Sequence, residues 1–139
     1  MTTVRAWRGT RGRRAPYGVL AAVVGAVTYV ALIDPDHPGH YPTCPFLALT
    51  GCYCPGCGSL RMVHALAHGH VGEAFGRNAL AFVTLPFLAY LWVQWAIAAR
   101  RGRPMRATLL GPWAITVFAV VSMVFWVLRN LPVGHVLAP

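Results

Sequence analysis

The chain has 139 residues, of which 57% are apolar and only 11% are charged. A water-soluble domain of this size carries about a quarter charged residues, so this composition largely excludes a soluble enzyme. The net charge of +9 comes from twelve basic residues, all of them arginine, against three acidic residues. Such a charge is compatible with nucleic-acid binding, but the positions of the arginines along the chain favour another explanation.

An uncharged stretch follows a basic N-terminal segment. Residues 1–14 carry five arginines, and residues 15–33 contain no charged side chain over nineteen positions. At about 1.5 Å per residue the uncharged stretch is roughly 28 Å long, close to the thickness of one hydrocarbon core. It is longer than the apolar region of a signal peptide, and no small-x-small cleavage site precedes Asp34. We therefore predict a cytoplasmic tail over 1–14 and an uncleaved transmembrane helix over 15–33.

The segment over residues 34–78 contains every cysteine of the chain: Cys44, Cys52, Cys54 and Cys57. Its first part is dense in proline and glycine, which predicts a loop. Apolar residues then recur at helical spacing over 58–68, before Gly69, which predicts a short amphipathic helix. Eleven residues are too few to cross a bilayer, so this helix is predicted to lie in the interface or to be re-entrant.

Two further uncharged stretches complete the pattern. Residues 79–99 and 107–128 are predicted to be the second and third transmembrane helices, separated by a basic loop over 100–106. The Gly111-Pro112 pair in the third stretch predicts either a kink or a later helix start with Pro112 in the first turn. Residues 129–139 form the C-terminal tail. The predicted fold class is therefore an all-α integral membrane protein with three transmembrane helices and a short helix after a cysteine-rich loop.

The arginines are distributed unevenly between the two sides of the predicted spans. Nine lie in the N-terminal tail and in the 100–106 loop, whereas three lie on the other side together with all three acidic residues. The positive-inside rule therefore predicts a multi-pass protein of the cell membrane with a cytoplasmic N-terminus and an extracytoplasmic C-terminus. The 34–78 segment would then face outward, and the basic charge would contact anionic lipid and not nucleic acid.

One motif in the 34–78 segment resembles a known family. The string Cys54-Pro55-Gly56-Cys57-Gly58-x-x-Arg61 follows an upstream cysteine, Asn78 precedes a span, and Arg129-Asn130 follow the last span. Together these features, over roughly 44–132, resemble the bacterial membrane-protein family catalogued as domain of unknown function 2752. The resemblance implies a small polytopic membrane protein without an agreed activity. It also implies that Cys52 is an addition to the family's usual set of Cys44, Cys54 and Cys57.

The four cysteines are compatible with three kinds of chemistry. An even number of cysteines facing an oxidising compartment favours structural disulfides that clamp the outer loop. A zinc site is the first alternative, with two ligands from Cys54 and Cys57, a third from Cys44, and a fourth from Cys52, His64 or His68. The second alternative is thiol redox chemistry at a Cys-x-x-Cys turn that begins a helix.

Other residue types support or restrict these interpretations. Gly58 follows Cys57 where a c-type haem attachment would need histidine, so no haem is predicted. Arg61, Asn78, Arg129 and Asn130 are expected to support the loop, with Arg129 snorkelling to the interface or bonding to the cysteine loop. No Ser-His-acid set or pair of carboxylates is evident, so the sequence does not favour an enzyme.

The functional prediction at this point is a non-catalytic accessory or assembly subunit with a disulfide-clamped outer loop. Its predicted partners are the lipid bilayer and another membrane protein or a second copy of the chain, because glycines such as Gly25 and Gly111 offer surfaces for close helix approach. The alternative, from a different class, is a metal-binding or thiol-redox membrane protein that uses the cysteine cluster.

Overall fold

The computed structural model describes residues 10–37, 39–103, 111–132 and 134. Six α-helices, and no strand, occur in this part of the chain: α1 (Thr10–Leu32), α2 (Pro45–Thr50), α3 (Ser59–Ala67), α4 (Val71–Arg77), α5 (Ala79–Arg100) and α6 (Pro112–Arg129). The predicted all-helical class is confirmed for the described residues. Most of the predicted N-terminal and C-terminal tails, and residues 104–110 of the predicted basic loop and third span, lie outside them.

Three of the helices are long and apolar enough to cross a membrane: Arg14–Leu32 within α1, Ala79–Arg100 and Pro112–Arg129. Their large side chains are mostly exposed, as the 62% exposed Val83 and the 57% exposed Val120 illustrate. Apolar side chains on the outside are stable where lipid is the solvent, so these surfaces fit a bilayer. The prediction of three transmembrane helices in a multi-pass protein is therefore confirmed.

The short helices α3 and α4 pack on each other and on the long helices. Gly69 adopts a left-handed backbone with φ of +80° between them, a conformation that glycine adopts without a steric penalty. The turn folds α4 back so that Met62 and Ala65 of α3 pack against Ala74 of α4. Phe82 and Leu85 of α5 extend this apolar cluster. The α3–α4 pair is thus a cap fixed to the beginning of α5.

The C-terminal ends of α1 and α6 and the N-terminal end of α5 meet at the same side of the molecule. His64 of α3 donates from Nδ1 to the Val30 carbonyl of α1 over 2.8 Å, while Asn130, just after α6, bonds to the backbone of Tyr53. At the opposite side, Trp92 of α5 donates to the Pro16 carbonyl of α1 over 3.1 Å. All the cysteines lie at the first of these two sides, which we call the cysteine face.

Candidate functional site

A tight turn brings the sulfurs of Cys54 and Cys57 together. The Cys57 amide donates to the Cys54 carbonyl over 3.1 Å, and the Cys54 amide donates to the Cys57 sulfur over 3.2 Å. Gly58 follows with φ of +84°, a left-handed conformation that turns the chain into α3. The Cys-x-x-Cys-Gly string therefore folds into a turn whose sulfurs share one side.

Cys44 supplies a third sulfur from an earlier part of the chain. It is the N-cap residue of α2, and Pro45 occupies the first position of that helix. The Cys44 sulfur lies 3.5 Å from that of Cys54, which in turn lies 3.1 Å from the Cys57 sulfur. All three sulfurs lie within 4.8 Å of one another, and Cys57 is buried while the other two are half-buried. We refer to Cys44, Cys54 and Cys57 as the three-sulfur cluster.

The structure contains no disulfide among these residues. All four cysteines are free thiols, and a disulfide would need sulfurs about 2.05 Å apart. Cys52 is exposed and does not belong to the three-sulfur cluster. The predicted disulfide clamp is thus not what the structure forms; the four cysteines divide into a cluster of three and one surface residue.

The thiols of the cluster differ in their readiness to ionise. Burial raises the pKa of the Cys57 thiol to about 12, and the neighbouring Cys54 thiol adds to this effect. The hydrogen bond from the Leu47 amide, at the start of α2, lowers the pKa of the Cys44 thiol. The surroundings of Cys44 therefore favour the thiolate, whereas those of Cys57 favour the protonated thiol.

A buried arginine donates hydrogen bonds to the backbone of the Cys54–Cys57 turn. Arg129, at the end of α6, is 2% exposed. Its Nη1 donates to the carbonyls of Cys54 over 2.9 Å and of Cys57 over 3.2 Å, and its Nη2 also donates to Cys57 over 3.2 Å. The rings of Tyr53 and Phe125 lie 5.7 and 5.0 Å from the guanidinium carbon. Arg129 therefore bonds to the cysteine loop, one of the two roles expected for it from the sequence.

Asn78 holds the same turn from the side of α5. This residue is fully buried, and its Nδ2 donates to the Pro55 carbonyl over 2.9 Å and to the Cys57 carbonyl over 3.1 Å. Its Oδ1 accepts from the Ala81 amide over 3.0 Å, which makes Asn78 the N-cap of α5. One amide side chain thus starts a transmembrane helix and fixes the position of the turn.

Asn130 adds a third connection, to the residue before the turn. Its Oδ1 accepts from the Tyr53 amide over 2.8 Å, and its Nδ2 donates to the Tyr53 carbonyl over 2.9 Å. Two bonds to the same peptide backbone fix both the distance and the orientation of the loop. Asn130, Asn78 and Arg129 thus all bond to the backbone of residues 53–57.

Arg61 and His64 do not contact the sulfurs. Arg61 pairs with Asp36 at 2.5 Å, and Asp36 also pairs with Arg77 at 3.3 Å. His64 donates to α1, and its ring lies 4.4 Å from that of His68. The structure thus brings together Cys44, Cys54 and Cys57 from the predicted set, and it places His64 and Cys52 elsewhere.

A cleft of about 390 Å³ opens beside the cluster. Cys44 and Cys57 line it together with the polar side chains of Asp36, Tyr41 and Arg61. Cys54 instead lines an apolar hollow of about 330 Å³ with Phe46 and Trp126. The cluster therefore has a polar, open side and an apolar side.

Sequence reasoning missed Asp36, Tyr53 and the helix α2. Asp36 gave no signal, because one acid in a loop of prolines and histidines is not distinctive. The signals for α2 are Pro45 in the first position and Gly51 in a left-handed conformation just after the end, with φ of +70°. The helix has only six residues, which is too short for a clear periodicity.

A comparison with known protein families finds a similarity over part of the cysteine face. No curated protein and no solved structure matches the chain. A family model matches residues 44–92, which include the three-sulfur cluster, α3, α4 and most of α5, and end before Arg129 and Asn130. Over residues 44–92 the chain is thus similar to the family described as Protein of unknown function (DUF2752).

Proposed function

We propose that this protein is a metal-binding membrane protein in which Cys44, Cys54 and Cys57 hold a zinc ion as thiolates. The observation that carries the proposal is the three-sulfur cluster, in which residues from two separate parts of the chain place their sulfurs within 4.8 Å of one another. Thiolates are preferred ligands of zinc and other thiophilic cations.

The distances within the cluster agree with this chemistry. A zinc–sulfur bond of about 2.3 Å places two sulfurs of a tetrahedral site about 3.8 Å apart. Two of the observed sulfur pairs, at 3.1 and 3.5 Å, lie slightly below that value, and the third pair is within 4.8 Å. Binding therefore requires only small side-chain movements and no rearrangement of the turn.

The charge next to the cluster also supports the proposal. A divalent cation with three thiolates carries a net charge of −1, and the buried Arg129 contributes +1 beside it. Among the described residues, no carboxylate pairs with Arg129. The carboxylates of Asp36 and Glu73 pair with Arg77 instead. A buried cation without a counter-charge is costly, so an anionic metal–thiolate group would stabilise Arg129 as well as the sulfurs.

The proposed location of the site is the outer face of the cell membrane. The support is the distribution of arginines, nine of which lie on the side away from the cysteines. An epitope tag inserted after the exposed His40 should then be reached by antibody in intact cells. A tag that is reached only after permeabilisation would place the cluster in the cytoplasm and contradict this orientation.

A second candidate function is thiol–disulfide exchange. It is favoured by the 3.1 Å between the sulfurs of Cys54 and Cys57 and by the lowered pKa of Cys44 beside them. In this reaction Cys54 and Cys57 would form a disulfide while a disulfide of a partner protein takes up their two electrons and two protons. An accessory or assembly role, expected from the sequence, is compatible with either chemistry and stays a prediction.

The test is the metal and thiol content of the full-length protein purified in mild detergent without reductant. The proposal predicts about one zinc per chain and no disulfide. The variant Cys54→Ser should lose the zinc, whereas the matched variant Cys52→Ser should keep it, because Cys52 is exposed and outside the cluster. Wild-type protein without metal and with cysteines oxidised in pairs would overturn the proposal and favour the exchange reaction or the disulfide clamp.

A further inference from the structure

We infer that a cation held by the three-sulfur cluster keeps one coordination position for a small donor ligand from solution, which enters through the cleft beside Cys44 and Cys57. This inference rests on the proposed metal binding and goes beyond it. Structural zinc sites are almost always closed by four protein ligands, whereas catalytic ones use three and leave the fourth position to water or substrate. The number and placement of donors around the cluster therefore distinguish the two kinds of site.

The described residues supply three donors and no fourth. Cys52 is exposed and lies outside the cluster. His64 uses Nδ1 for the Val30 carbonyl, and its ring packs against His68. Asp36 lines the same cleft, but its two carboxylate oxygens pair with Arg61 at 2.5 Å and Arg77 at 3.3 Å. His37, which also lines the cleft, contacts Asp34 through Nδ1. Among the described residues, none of these side chains belongs to the group of ligand atoms that lie within 4.8 Å of one another.

The cleft is the side from which a fourth ligand reaches the cluster. Two of the three cysteines line it, and its volume of about 390 Å³ is large enough for water or a small organic donor such as imidazole or a thiol. Its other lining residues include hydroxyl and charged groups, namely Tyr41, Asp36 and Arg61. The apolar hollow beside Cys54, with Phe46 and Trp126, offers no comparable route for a polar ligand.

The turn is also held in place without help from a cation. Arg129 and Asn78 bond to the carbonyls of Cys54, Pro55 and Cys57, and Asn130 bonds to both the amide and the carbonyl of Tyr53. Small structural zinc domains differ, because their ligands come together only when the metal binds and their folding depends on it. A cation in the three-sulfur cluster can therefore leave and return while the fold persists.

The experiment replaces zinc by cobalt(II) in the full-length protein in detergent, because the visible bands of cobalt report the ligands around it. We expect charge-transfer absorption typical of cobalt–thiolate bonds, and a saturable shift of the visible bands when imidazole is added. The charge-transfer intensity should be retained during the titration, which shows that imidazole adds to the cation and does not extract it. Removing the cobalt with a chelator should leave the helical circular dichroism unchanged.

Cys52→Ser is the matched control, since Cys52 is the remaining thiol of the chain. The inference predicts that its cobalt spectrum and its response to imidazole equal those of the wild type. If the wild-type spectrum did not respond to imidazole, or if the Cys52→Ser spectrum differed from that of the wild type, the chain itself would supply the fourth ligand. Either result would overturn the inference but leave the proposed metal binding intact. Absence of any cobalt–thiolate absorption would instead overturn the proposed function, and the inference with it.

Discussion

The second and third membrane-spanning helices are fixed in different ways. α5 packs on α1, α3 and α4, and its first turn joins the apolar cluster around Met62. α6 has no comparable packing against any described helix. It is connected to the rest of the protein mainly at its C-terminal end, through Arg129, Asn130 and the edge-to-face contact of Trp126 with Phe46, whose ring centres lie 5.8 Å apart.

This difference shows that α6 is positioned by polar groups at the cysteine face. In a membrane, apolar helix surfaces gain little by leaving lipid for one another, so hydrogen bonds to buried carbonyls can decide where a helix stands. The residues that hold α6 are the ones that hold the Cys54–Cys57 turn. The position of the third helix and the geometry of the three-sulfur cluster should therefore change together.

The largest expected effect comes from Arg129→Gln. The substitution removes several charge-assisted hydrogen bonds to the carbonyls of Cys54 and Cys57 and leaves those acceptors buried. We expect a loss of about 3–4 kcal/mol in the free energy of unfolding, measured by denaturant titration in micelles, and a loss of metal binding. The control Arg101→Gln changes an exposed arginine at the other side and should be neutral. Equal stability of both variants would refute the anchoring role of Arg129.

Asn78→Ala should have the next largest effect. It removes the N-cap of α5 and two hydrogen bonds to the turn at a fully buried position, which should cost about 2–3 kcal/mol in the same titration. Asn130→Ala, at an exposed residue with two bonds to Tyr53, should cost about 1 kcal/mol. A larger loss of unfolding free energy for Asn130→Ala than for Asn78→Ala would contradict the view that burial strengthens the hydrogen bonds of Asn78.

Met62→Ala tests how much the apolar packing of α5 on α3 and α4 contributes to stability. Met62 is 2% exposed in the cluster that joins α3, α4 and α5, so truncation should cost about 2 kcal/mol through lost burial and a cavity. The matched control is Met123→Ala on α6, where the side chain is 55% exposed and should face lipid. We expect almost no change in that control; a loss as large as that of Met62→Ala would mean that α6 packs on something its surface does not indicate.

The smallest effect is expected from Asp36→Asn. The two ion pairs of Asp36 with Arg61 and Arg77 are partly exposed and therefore screened, so their loss should cost less than about 1 kcal/mol. The difference from wild type should shrink further as salt is added to the titration. A salt-independent loss would indicate that the pairs are shielded from solvent.

The membrane-spanning helices can be predicted from the sequence more completely than the geometry of the three-sulfur cluster. The three spans follow from uncharged stretches that match a bilayer, and α3 follows from helical spacing. The three-sulfur cluster does not follow in this way, because the residues that fix it, Arg129 and Asn130, lie more than seventy positions from Cys54 and Tyr53. The even count of cysteines pointed to disulfides. The family resemblance set Cys52 apart from the other three, and the folded chain brings those three together.

X-ray absorption at the zinc edge of the purified full-length protein tests the central claim most directly, because it counts the atoms bound to the metal by element and distance. The account predicts a shell of three sulfurs at about 2.3 Å with one lighter nitrogen or oxygen donor. A first shell made of nitrogen and oxygen alone, or a protein with no zinc whose clustered cysteines are oxidised, would contradict it.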